Sequence, residues 1–361
     1  IKGTITINSG KSLTIRNTSG SDYTLTVDES FKNGTNIFDN SGSLKIVGNI
    51  EGHIILDGGA DFEFSQDANL NPVKLNAKTA KKVGAAIKNN GALTLDYVTI
   101  MNVNDSNTNG GAITSSTSSA VLLTNCTITQ CYSQLGSAIM ISGGSGKVTV
   151  ENSEISRCFS GGGSTERAGG AIRTYGSVTS SLYLTNVKFR QNYSQRTLNY
   201  DNTWDRDASG GAIFWNARGL NTTECVMNSC LFEHNKSDDN GGAIKTQGSI
   251  RFTGGETVIQ DNVAPNGAGI YIEGYIGGSG VGSKRTITYD LNDKLKVINN
   301  SAPSYYVESA NTTYSGKGAG IHFYFGDTMT LEANSTINVN MNGAIIQNNK
   351  AIGEESNGGG I

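Results

Sequence analysis

FEHNKSDDNGGAI, residues 232–244, joins two short motifs that recur along the chain. The first is an apolar residue followed three positions later by Asn, here Phe232 and Asn235. The second is Gly-Gly-Ala-Ile, running from Gly241 to Ile244. Strict copies of the second start at Gly110, Gly169 and Gly210, and looser ones at Gly84, Gly136, Gly267, Gly318 and Gly358. Other copies of the first, each upstream of a signature and two with Cys in place of Asn, are Ile128/Cys131, Ile155/Cys158, Phe189/Asn192, Ile259/Asn262, Val297/Asn300 and Ile346/Asn349. Three of the intervals between signatures are 26 residues and the rest are longer. Fixed motifs separated by variable insertions are the mark of a repeat architecture, with one repeat making one coil.

The residues between the motifs say what each coil is made of. Leu93-Thr94-Leu95, Val148-Thr149-Val150 and Leu182-Tyr183-Leu184 alternate apolar with other side chains, as strands with one buried face do. The Gly pair permits a corner with positive φ and close backbone approach, while Ala and Ile turn inward. These features predict an all-β chain, a right-handed parallel β-helix of about ten to twelve coils stacked about 4.8 Å apart. The regular repeats are expected over 84–361, after irregular coils over 1–83 that carry Ile5, Ile7, Leu13, Ile15, Leu44 and Ile46. Residues 61–82 break the pattern and read as a loop or strand excursion. The chain stops at Ile361 just after a signature, so further repeats or another subunit are expected to make end-to-end contact there.

Asn192, Asn235, Asn262, Asn300 and Asn349 share one position, with Cys131 and Cys158 in the two coils before them. Stacked in register, these side chains form a ladder at a bend, which satisfies buried amides along the stack. The ladder cysteines would have Cα atoms within disulfide range, yet parallel side chains hold the Cβ atoms slightly too far apart. Stacked thiols are therefore expected rather than a disulfide. The five cysteines are an odd number and lack zinc-finger spacing, so neither a disulfide framework nor a metal site is expected.

Composition narrows the function. Gly is abundant (47) and Pro rare (3), against a disordered or collagen-like chain. A net charge of −3 without a basic run argues against nucleic acid. No apolar stretch reaches the roughly 18–20 residues of a membrane helix, so no membrane insertion by these residues is expected. Sequons at Asn125, Asn192, Asn221, Asn235, Asn311 and Asn334 follow from the richness in Asn, Ser and Thr and carry little information.

The paired motifs resemble the repeats of the chlamydial polymorphic outer-membrane proteins, over roughly residues 84–361. Strict Phe-x-x-Asn is confined to Phe189/Asn192 and Phe232/Asn235, and no outer-membrane barrel accompanies them. The resemblance implies an autotransporter-type β-helical passenger at the cell surface, adhering to a glycan or protein of a host or neighbouring cell, without a cofactor.

Within such a coil, the insertions are the informative parts. Between the ladder residue and the next signature lie 4 residues after Cys131 and Asn262, 10 after Cys158, and 17 after Asn192 and Asn300. All leave at the same corner and should line one edge. The richest insertion carries Tyr193, Arg196, Tyr200, Trp204, Asp205, Arg206 and Asp207, and a later one carries Tyr305, Tyr306 and Tyr314. Aromatics beside Arg and Asp suit contact with sugars or proteins. Phe159, Glu166 and Arg167 belong to the neighbouring loop. Asp238 and Asp239, like Asp205 and Asp207, read as solvated corner residues. Two other readings stand beside adhesion: a structural filament or scaffold subunit, and a polysaccharide lyase or glycoside hydrolase. The last needs clustered carboxylates, and no acidic position repeats across coils.

Overall fold

The computed structural model describes residues 1–361 except 78–82, 106–109, 162–168, 175–178, 197–207, 218–222, 275–285, 308–311, 326–335 and 354–355. Three ten-stranded parallel sheets run side by side through these residues, and each coil adds one strand to each sheet. The molecule is a parallel β-helix of ten coils. The first strand of successive coils starts at Ile5, Phe38, Ile87, Ile113, Ile139, Ile172, Ile213, Ile244, Ile270 and Ile321, all in one register column. From Ile87 onward that column is the last residue of each signature. The two coils before residue 84 pair with the third coil in unbroken register, Ser43 opposite Ala92 and Ile54 opposite Val98.

Both signature glycines have a steric reason. Gly241 sits at φ 72°, open to glycine without a Cβ penalty. A methyl on Gly242 would overlap the carbonyl oxygen of Ala268 in the next coil. The neighbouring Ala243 and Ile244 are fully buried. The residue before each ladder position is also left-handed: Gln130, Arg157, Gln191, His234, Asp261, Asn299 and Asn348 all lie at φ 52–58°. A second such column, Tyr97, Asn125, Asn152, Asn186 and Ser229, marks the corner between the second and third sheets. Asn tolerates this conformation better than most residues and fills five of these twelve positions.

A fourth sheet follows the ladder corner. Its strands are Asn104–Asp105, Tyr132–Ser133, Phe159–Gly161, Tyr193–Gln195 and Lys236–Ser237. Single bridges through Val263 carry it on to Ser301, which pairs with Lys350 in the last coil. Its inward column holds Ser133, Ser160, Ser194 and Ser237, all buried, and then turns to Ala264, Ala302 and Ala351.

The excursion over 61–82 contains an antiparallel hairpin, Phe62–Gln66 paired with Pro72–Ala77. It leaves the second coil where later coils place their fourth strand. Four coils farther on, the Gln191 side chain donates to Oε1 of Gln66 at 2.6 Å. Four coils span roughly 19 Å and a five-residue strand roughly 17 Å, so the hairpin stands along the axis and crosses the intervening coils. It lays Leu75, Phe62 and Phe64 over Phe159, Tyr193 and Tyr132.

Candidate ligand-binding edge

The ladder column forms a continuous hydrogen-bonded chain through its asparagines. The Asn192 backbone and Nδ2 both donate to Oδ1 of Asn235, at 3.1 and 2.9 Å. Asn235 repeats this on Asn262, Asn262 on Asn300, and Asn300 on Asn349, every bond between 2.9 and 3.0 Å. Each Nδ2 also donates to a main-chain carbonyl of the coil before, as Asn235 does to Phe189 and Asn262 to Phe232. Asn192, Asn235, Asn262 and Asn300 are completely buried. The sequons at Asn192 and Asn235 therefore lie out of reach of any modifying enzyme in the folded chain.

At its lower end the ladder meets the thiols. The Cys158 backbone N–H donates to Oδ1 of Asn192, and Cys158 lies one coil above Cys131. All five cysteines are free and buried. Burial drives the Cys131 thiol well above its ordinary range, and the adjacent Cys158 adds to this. Burial likewise pushes Cys126 up to about 12 and Cys230 to about 11. These thiols are packing groups, protonated and sealed from reagents.

Beyond the ladder the edge is locked at its root. Tyr193 is buried in the fourth sheet, its ring edge-on to Phe159 at 4.6 Å. Its hydroxyl donates to Oδ1 of Asp238 at 2.6 Å, and the Lys236 ammonium lies over its ring. Burial and the negative Asp238 hold the phenol protonated. The Arg196 N–H donates to Oδ2 of Asp238, while its guanidinium pairs with Asp239 at 3.3 Å. That pair is itself largely buried, with side-chain exposures of 11% and 8%. Asp239 also accepts from the Asn240 side-chain amide at 2.6 Å. Asp238 and Asp239 are therefore not solvated corner residues. They fasten the start of the insertion 197–207 to the next coil, while its end is held where the Ser209 N–H donates to the Ser194 hydroxyl at 3.0 Å and the Asn240 N–H to the Ala208 carbonyl.

Tyr193 thus serves as a wall of the coil and Arg196 as a hinge pin, and Phe159 is buried with them. Tyr200, Trp204, Asp205, Arg206 and Asp207 lie outside the described residues, as do Glu166 and Arg167. In the later insertion, Tyr305–Val307 pairs antiparallel with Thr312–Tyr314, setting Tyr305 opposite Tyr314 and Tyr306 opposite Thr313. Among the described residues the edge carries two antiparallel hairpins, one at the second coil and one at the ninth.

An outward column on the first sheet escaped the sequence reading. Arg173, Phe214, Lys245, Tyr271 and His322 occupy it in successive coils, a file of cations and rings. Lys245 lies over both Phe214 and Tyr271 and pairs with Glu273 at 3.1 Å. Tyr271 stacks on His322, whose imidazole is held toward its neutral form by burial and by Lys317. The signal was the residue after each signature, which the inward pattern made easy to pass over.

Ser229 to Gln247 span one ladder corner, one fourth strand and one signature, and this stretch has a known counterpart. Residues 229–247 match the Chlamydia polymorphic membrane protein repeat. The matched polymorphic membrane protein repeat includes Phe232 and Asn235 as well as Gly241 to Ile244, the residues whose roles are described above. No curated protein and no solved structure matches the chain. No helix among the described residues is long and apolar enough to cross a membrane. Among the same residues no three His, Cys, Asp or Glu side chains gather as metal ligands.

Proposed function

We propose that this chain is part of a cell-surface protein, a rigid β-helical stalk that presents an adhesive edge to a glycan or protein of a host or neighbouring cell. The repeat match supports the surface setting, since that repeat is named for a membrane-protein family. The observation that carries the adhesive reading is the locked root of the 197–207 insertion. Tyr193 and Arg196, bonded to Asp238 and Asp239 of the next coil, fix its start, and Ser194 and Asn240 hold Ser209 and Ala208 at its end, which limits the entropy lost when such a loop engages a partner. Catalysis is the weaker reading at this edge. Asp238 accepts from Tyr193 and Arg196, and Asp239 is tied to Arg196 and Asn240, so neither stands ready as an acid or base.

The test is a binding screen of the chain against a glycan array and extracellular-matrix proteins, beside the variant Tyr200→Ala/Trp204→Ala/Arg206→Ala. The expected result is a ligand bound by the parent and lost in the variant. Equal binding by both, or none by either, would overturn the adhesive edge.

A further inference from the structure

A second insertion corner lies between the first and second sheets, and there the lengths vary differently. The seventh coil spends eight residues (216–223) between its first and second strands, the eighth only two (247–248), and the ninth twelve (274–285). The sheet itself opens at the same place. Thr286–Asp290 pairs with the tenth coil over all five residues, yet with the eighth only through Tyr289 and Asp290. Before that point the Thr288 N–H turns to the Ser249 hydroxyl at 3.0 Å instead of to a strand carbonyl. The result is a cleft of about 470 Å³, within the size range of small-ligand sites.

The lining is hydroxyl-rich and charged. Ser249 and Thr288 lie at the splay, Glu224 and Arg251 to one side, and Asp290 closes the far end. One guanidinium nitrogen, Nη2, makes both contacts to the Glu224 carboxylate, at 2.7 and 2.8 Å. Nε and Nη1 take no part in that pair, so Arg251 is oriented while keeping donors beyond it. Asp290 is held by the Asn292 and Asn340 amides, at 3.1 and 2.7 Å. Two carboxylates and one guanidinium line the cleft, which makes it net negative and opposes an acidic ligand. Fixed carboxylates beside a positioned Arg match vicinal hydroxyl groups, which donate to the first and accept from the second.

We propose that this cleft binds a neutral saccharide of one or two sugar units, at a site separate from the ladder-side edge and independent of its adhesive role. The experiment titrates the 361-residue chain, followed by NMR or calorimetry, with lactose, cellobiose, chitobiose and maltose, and with N-acetylneuraminic acid as the acidic comparator. The variants are Arg251→Ala, the near-isosteric Glu224→Gln and, on the third sheet, Lys188→Ala. Saturable millimolar binding of at least one neutral disaccharide is expected, weakened tenfold or more by Arg251→Ala and by Glu224→Gln but not by Lys188→Ala. Absence of saturable binding, binding indifferent to Arg251→Ala and Glu224→Gln, or preference for the acidic sugar would each overturn the proposal.

Discussion

Two halves of one corner column solve the same problem in opposite ways. From Asn192 to Asn349 the bend is built from amides that bond one another, coil after coil. In the coils before, the column reads Val103, Cys131 and Cys158, which are buried and nonpolar or nearly so. The next inward column runs the other way, with Asp105 and the serines in the early and middle coils and Ala264, Ala302 and Ala351 at the far end. Polarity slides from one column to its neighbour as the stack rises. Each coil from Val103 and Asp105 onward except the last three has a polar side chain at the second position, the last five have Asn at the first, and the coils of Asn192 and Asn235 have both.

The comparison breaks most sharply at the centre of the amide run. Asn262→Ala removes the acceptor of two Asn235 bonds and the donor to Asn300 and Phe232. Stranding those buried groups should cost about 3 kcal/mol or more, read from urea unfolding. A loss under about 1 kcal/mol would mean that the ladder decorates the bend and does not hold it. Next comes the alanine column. Ala302→Ser puts a hydroxyl among Ala264 and Ala319 and should cost about 1–2 kcal/mol by the same measurement. Cys158→Asn asks whether the ladder can be lengthened downward. The Cys158 N–H already meets Oδ1 of Asn192, so the new Nδ2 finds the same acceptor, and stability should stay within about 1 kcal/mol of the parent.

The smallest effect sharpens the companion column of left-handed residues. Burial, with help from Glu233 and opposed by His234, raises the Asp261 carboxyl above its ordinary range. The folded state therefore binds this proton more tightly than the unfolded chain. The resulting stability is complete below the unfolded carboxylate value of about 3.9 and is lost as pH rises through the higher folded value. Asp261→Asn, which keeps a residue suited to φ 55°, should raise Tm by about one degree at pH 7 and leave it unchanged at pH 3. Equal shifts at both values would assign the effect to backbone preference alone.

Much of this architecture was legible because its two motifs sit where geometry permits few residues. Only Gly clears the carbonyl facing Gly242, and stacked amides recur at Asn235 and its equivalents. The fourth sheet was not legible, because strands of two or three residues such as Lys236–Ser237 are too short to show alternation. For the same reason Tyr193 was read as the start of a loop, although pairing continues through it to Gln195. The hairpin strands alternate visibly, as Phe62 and Phe64 do, yet nothing local says that they pack on a tyrosine more than a hundred residues away. The cleft was not legible because Thr286–Asp290 alternates as any strand does, and nothing local shows that it pairs with the eighth coil only through Tyr289 and Asp290.

The hairpin of the second coil has a mechanical consequence. A solenoid whose coils touch only their neighbours can be unzipped one at a time, each release as small as one interface. The Gln66–Gln191 contact and the aromatic seam beneath it strap the second coil to the sixth, as a clasp closes a zipper. Under tension applied from the early coils, peeling must stall until the clasp yields. The third, fourth and fifth coils then let go as one block, so the same strap that hides Tyr193 sets the size of the step in which the stack opens.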